Sequence, residues 1–144
     1  MIDRRAFLQS CSAVVAGLVI APPPHAAAMV HRCRPGAVLG PHPTPRVGIT
    51  AAKVLTKEQL THNPKLAPLF DSIRAIPGVI DGIRCNCGCA ASPGFYSLLT
   101  CYEGDAMAQH CPICQGQGRL AARLHKEGKT LDEIRVAVDA QFGD

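Results

Sequence analysis

Tryptophan is absent from this 144-residue chain, and four phenylalanines and two tyrosines supply all its aromatic rings apart from histidine. A small domain with so few large rings has limited apolar area to bury, so it needs a staple of another kind. Basic residues exceed acidic ones by only four charges and form no run. That excludes the clustered Lys/Arg face on which nucleic-acid binding depends. The carboxylates are scattered, with no dyad and no recognisable nucleophile–base pair, so an enzyme is not expected. The apolar stretch from Ala13 to Ala21 is too short to span a bilayer as a helix. No internal repeat is present.

What the chain does have is cysteine: eight residues, six of them between Cys85 and Cys114. The window opens with Cys85-Asn86-Cys87-Gly88-Cys89 and closes with His110-Cys111-Pro112-Ile113-Cys114, with Cys101 between. Cys111 and Cys114 have the Cys-x-x-Cys spacing of a zinc knuckle, which also suits a disulfide or redox pair. The triplet is set too closely for an ordinary knuckle. On an extended chain its three sulfurs share one edge. Crowded thiolates favour soft ions, and Cu(I) accepts such sulfur-rich, low-coordinate sites. His110 adds an imidazole beside Cys111, while Met107 reads as packing and Cys33 as lying outside the site. Three disulfides are the competing reading, and the sequence cannot choose among their pairings.

The N-terminus bears on that choice. Arg4-Arg5-Ala6-Phe7-Leu8 reads as a twin-arginine export signal, closed by Pro22-Pro23-Pro24 and by the small residues Ala26-Ala27-Ala28. The expectation is a signal over residues 1–28, cut near Ala28, and a periplasmic or otherwise extracytoplasmic protein without a stable membrane span. Leu8-Gln9-Ser10-Cys11 resembles a lipid-attachment box but precedes the apolar run, which is the wrong order. Twin-arginine export carries folded proteins, so a metal can be inserted in the reducing cytoplasm. A disulfide framework gains nothing from folding there first.

Residues 29–49 are rich in Pro, Gly and His and read as a linker; the cysteine-rich domain is expected over residues 50–144. Thr56-Lys57-Glu58-Gln59 is a capping box for a short helix that Asn63-Pro64 interrupts. Lys65 to Ile76 places Leu66, Leu69, Phe70, Ile73 and Ile76 on one helical face, and Pro77-Gly78 ends it. Gly94 to Tyr102 fits a short helix or a strand equally. Pro112 suits the first turn of a helix to about Glu127, with Ile113, Leu120 and Leu124 inward. Gly128 is a C-cap, and Thr130-Leu131-Asp132-Glu133 caps a last helix to about Phe142 with Leu131, Ile134, Val138 and Phe142 buried. The fold class expected is mainly α: a small cysteine-rich helical domain with a C-terminal helix hairpin and a metal–thiolate loop region.

The span from Ile76-Pro77-Gly78-Val79 through the two cysteine clusters and Ser97-Leu98-Leu99-Thr100-Cys101-Tyr102 to Glu127–Arg135 resembles the bacterial PCYCGC-motif domain. Arg84 stands where that motif has Pro, and Asn86 where it has Tyr; the cysteines are kept. The resemblance implies a cysteine-rich exported domain suited to metal binding, and no reaction. Together these readings predict a metal site of Cys85, Cys87, Cys89, Cys101, Cys111 and Cys114, with His110 as an extra ligand. Its metal would be copper as Cu(I), with zinc the alternative, held for delivery to a protein partner or for sequestration. The alternatives are a zinc- or disulfide-stabilised interaction module and a thiol redox protein.

Overall fold

Prolines set the first helical boundaries. The computed structural model describes residues 40–88 and 93–143; the expected signal, most of the linker with Cys33, and Cys89 lie outside them. A 3-10 turn over Pro64–Leu66 leads into helix α1, Ala67–Ala75, so the expected helix forms with a tightened first turn. It stops at Ile76, whose φ of −135° and ψ of 47° are not helical. Proline disfavours the α region in the residue before it. Pro77 then serves as the first residue of a second, short helix, α2, Pro77–Asp81. Pro77-Gly78 ends the first helix as expected, but a ring fixed near the helical φ also starts a new one.

The ambiguous stretch before the second cluster is a 3-10 turn, Leu98–Tyr102, in which Leu98, Leu99, Cys101 and Tyr102 are all buried. Three residues per turn put Leu98 and Cys101 on one face and Leu99 and Tyr102 on the next. A further 3-10 turn, Met107–Gln109, precedes helix α3, Pro112–Lys126, and helix α4, Leu131–Phe142, completes the expected hairpin. No strand occurs among the described residues; one isolated antiparallel bridge joins Val54 to Glu103. The protein is therefore mainly α, as its pattern predicts.

The turn between α3 and α4 is built as its residues suggest. Gly128 takes a φ of +81°, which glycine adopts without strain, and its N–H donates to the carbonyl of His125. The Glu133 N–H donates to Thr130 Oγ1 at 3.3 Å, and the Thr130 N–H donates back to Glu133 Oε2 at 2.8 Å. That backbone bond, with Lys129 and the Thr130 hydroxyl, lowers the Glu133 carboxyl to about 2. Thr130→Ala is expected to cost about 1 kcal/mol of stability, read as a shift in the urea midpoint at constant slope.

The core packs α1, α2 and the Leu98–Tyr102 turn against the hairpin. Phe70 and Tyr102 meet edge to face, with ring centroids 4.9 Å apart, and Ile73, Ile80, Ile83, Ile134 and Val138 are fully buried around them. One expected core residue is misplaced: Ile113 is exposed, and the buried face of α3 carries Cys114, Gln117, Gly118, Leu120 and Ala121 instead. The helix is rotated so that Cys114 turns inward. Gly118, which reads as a weak point of the helix, is the point of closest approach. A Cβ there would overlap the Tyr102 hydroxyl, which donates to the carbonyl of Cys114 at 2.7 Å.

Residues 40–49 have no helix or strand but lie tied to the helical body. Arg46 meets the fully buried Asp81 with its backbone N–H at 2.8 Å, Nε at 3.1 Å and Nη2 at 2.7 Å. Arg135 Nη2 donates to the carbonyl of Pro43, and the Tyr96 hydroxyl to that of Thr44. No helix among the described residues is long and apolar enough to cross a membrane.

Candidate metal centre

Two chain segments bring the sulfurs together. The first follows α2: Ile83 is buried, Cys85 and Cys87 both point inward, and Asn86 between them faces the other way. The chain is not extended here: residues 86–88 form a turn, which folds the two sulfurs toward each other. Gly88, at φ +84°, turns the chain directly after Cys87, in the region where other residues are strained. The second segment is the start of α3. Cys111 is its N-cap and Pro112 its first residue, and the Cys114 N–H donates to Cys111 Sγ at 3.4 Å. Both sulfurs therefore sit at a helix N-terminus, whose partial positive charge favours the thiolate form.

The two segments meet in a triangle of sulfurs. Cys85 and Cys87 are 3.1 Å apart, and each lies 3.6 Å from Cys114. All three are buried. A point equidistant from them lies roughly 2.0 Å from each, within the about 2.3 Å of a metal–thiolate bond, so one ion can touch all three from just off their plane. Cys101, wholly buried, and Cys111, half-buried, stand against the same group through Cys87 and Cys114. No disulfide joins any two of these five cysteines.

Electrostatics make the donor set ready for a cation. Hydrogen bonds from Cys101, Cys111, Cys114 and Cys85 hold the Cys87 thiol far below the usual range. Those from Cys101, Cys111, Cys85 and Cys87 push Cys114 far above it. Cys114 pulls Cys111 down, but Cys87 and burial outweigh it and raise Cys111 to about 11. One thiolate forms easily and forbids the next, because like charges in a buried space repel. A bound cation is what permits several of these sulfurs to ionise together. Burial, with the charges of Cys114, Cys101 and Cys85 behind it, keeps Tyr102 protonated as a donor.

A polar shell surrounds the sulfurs. The Asn86 N–H donates to Gln117 Oε1 at 3.2 Å, and Gln117 Nε2 is buried without an acceptor. Gln117 stands one turn along α3 from Cys114, so this unused donor belongs to the cysteine environment and suits an anionic metal–thiolate group. Outside it, Asp139 on α4 accepts from Arg84 Nη2 at 2.9 Å, Asn86 Nδ2 at 3.3 Å and His42 Nε2 at 3.0 Å. His42 Nδ1 in turn accepts the Arg84 N–H at 3.1 Å, which assigns its proton to Nε2. These contacts clamp both sides of Cys85.

That clamp is acid-labile. Burial lowers the His42 pKa, against the raising pull of Asp139. Burial raises Asp139, but His42, Asn86 and Arg84 outweigh it and leave it lowered. The unfolded chain takes up a proton on His42 at about pH 6.5, where the folded chain does not. Stability therefore falls as pH drops below about 6.5, and falls again as Asp139 protonates below about 3.9. In His42→Gln the stability change between pH 7 and 5 is expected to flatten, read from urea midpoints across that range.

Of the residues predicted for the site, the structure brings together Cys85, Cys87 and Cys114, with Cys101 and Cys111 beside them. Cys89 lies outside the described residues. His110 is exposed, and its ring faces His62 at a centroid distance of 5.2 Å, outside the three-sulfur group. Met107 is buried, as packing. Gln117, His42 and Asp139 escape a sequence reading: Gln117 falls on the helical face of Cys114 three residues on, a findable signal, but nothing local links His42 to Asp139.

Fold and site together define a small, mainly helical domain closed around a buried cysteine cluster that can hold a metal ion. No protein-family model, curated protein or solved structure matches the chain.

Proposed function

We propose that this is an exported, non-catalytic metal-binding protein that holds copper as Cu(I) on its clustered thiolates, for delivery to a protein partner or for sequestration. The observation that carries the reading is the buried sulfur triangle of Cys85, Cys87 and Cys114 with two further cysteines alongside. Five converging thiols exceed what a single tetrahedral ion takes, and thiolates bridge Cu(I) ions readily. Export rests on the twin-arginine pattern at Arg4 and Arg5, and the resemblance to the PCYCGC-motif domain points the same way.

Zinc is the second reading. The 3.6 Å sulfur separations come close to the edge of a tetrahedral four-thiolate site, about 3.8 Å for bonds of 2.3 Å. Purifying the protein with its metal intact and measuring metal content and free thiols together separates the two. Copper at one or more equivalents with protected thiols is expected. One zinc per chain moves the assignment to a structural site, and disulfides without metal sink both.

A further inference from the structure

The histidine that stands apart from the sulfurs has a partner of its own. His62, in the loop before α1, and His110, beside Cys111, are both exposed, with ring centroids 5.2 Å apart and planes inclined at 59°. Two imidazoles sharing one ion at about 2.0 Å with a tetrahedral angle hold their centroids roughly 5 Å apart. The pair therefore has the separation that a shared ion requires, and both rings are open to solvent.

A cavity adjoins the pair. It encloses about 680 Å³ and is lined by His62, Met107 and Gln109 among others. Gln109 directly precedes His110, and its Oε1 is buried with no donor. The turn from Met107 to Gln109 is aimed by Ala106, held at φ +39°, an uncommon conformation for a residue with a side chain. Cys111 follows His110 and is the most exposed of the described cysteines of the cluster.

We propose that His62 and His110 form a second, solvent-facing site for one soft or borderline metal ion, at which ions land before passing through Cys111 to the buried sulfurs. Imidazole suits copper and zinc alike. For Cu(I) the passage is ligand exchange without redox change: a Cu–S bond forms at Cys111, a Cu–N bond breaks, and the thiol proton leaves to solvent. The landing half rests only on the imidazole pair; the passage half rests on the function proposed above.

Both histidines are exposed, so His62→Ala with His110→Ala leaves the packing intact. Ring ¹⁵N resonances are followed while Cu(I), and separately Zn(II), is titrated into the full chain. Loading from a coloured Cu(I)–bicinchoninate complex is then timed in the parent and the double variant. The two rings are expected to shift together, and the double variant to load about tenfold more slowly to the same thiolate-bound total. Unshifted rings with both ions, or loading as fast as the parent, overturns the proposal. A parent whose sulfurs take no copper overturns the function proposed above together with the passage half, while the ring shifts with Zn(II) still decide whether the landing site exists.

Discussion

Cys87→Ser is expected to remove the metal from the buried cluster with little change in the fold of the metal-free chain. Cys87, like Cys114, meets all four of the other described cysteines of the cluster, and it belongs to the triangle that one ion can bridge. Serine keeps the shape of the side chain but offers a hard, protonated oxygen that soft ions disfavour. Metal bound to the native state stabilises it by mass action, by about 4 kcal/mol when free metal is a thousandfold above its dissociation constant. The parent should therefore melt well above its metal-free form, and the variant should show no such difference. Bound metal per chain should drop by at least one. Parent-like stoichiometry and the same metal-dependent rise in Tm would remove the triangle from the site.

The largest purely structural effect is expected at Asp81. Its side chain is fully buried and accepts three hydrogen bonds from Arg46 and one from the Ser97 hydroxyl at 2.7 Å. Breaking a fully buried ion pair costs about 3–5 kcal/mol. The Arg46 side chain is 42% exposed and can return to water, so Asp81→Ala should cost about 2–3 kcal/mol. Part of that loss is the stranded, buried Ser97 hydroxyl. Residues 40–49 should come away from the helical body, and amide exchange at Arg46 should rise toward the unprotected rate. A loss below about 0.5 kcal/mol would mean that the contacts of His42, Gly40, Arg135 and Tyr96 hold the segment without Asp81. The pH dependence has one sign: burial raises Asp81, but Arg46 and Ser97 outweigh it, leaving the carboxyl lowered. Its contribution is present above about pH 4 and is lost as pH falls through the folded value.

The two largest effects differ in how far the sequence foresees them. The triplet and the knuckle stand out because six cysteines in so short a window have few other uses. Asp81 gives no sign of itself: an Asp before Gly82 reads as a turn residue, and Arg46 as part of a linker. The pair forms because α2 carries Asp81 inward while residues 40–49 fold back over it. Ile113 shows the same limit in the other direction. Its place after Pro112 marks it as core by helical spacing, yet the helix turns to bring Cys114 inside. The choice between those two rotations depends on what α3 packs against, and Tyr102 lying over Gly118 sets it.

By itself the sequence determined the local elements: helices bounded by Pro64, Pro77, Pro112 and Gly128, the box at Thr130, and the thiol donors in their order. Each is decided within a few residues by backbone sterics, capping and spacing. Only the tertiary structure decided which sulfurs meet. The triangle joins Cys114 to a pair almost thirty residues earlier, and closing that distance depends on the packing of α3 over Tyr102 and on the clamp from His42 and Asp139 around Arg84. The same packing left His110 outside and set it against His62. Side-chain convergence across separate elements is a property of how they pack, and no local pattern encodes it.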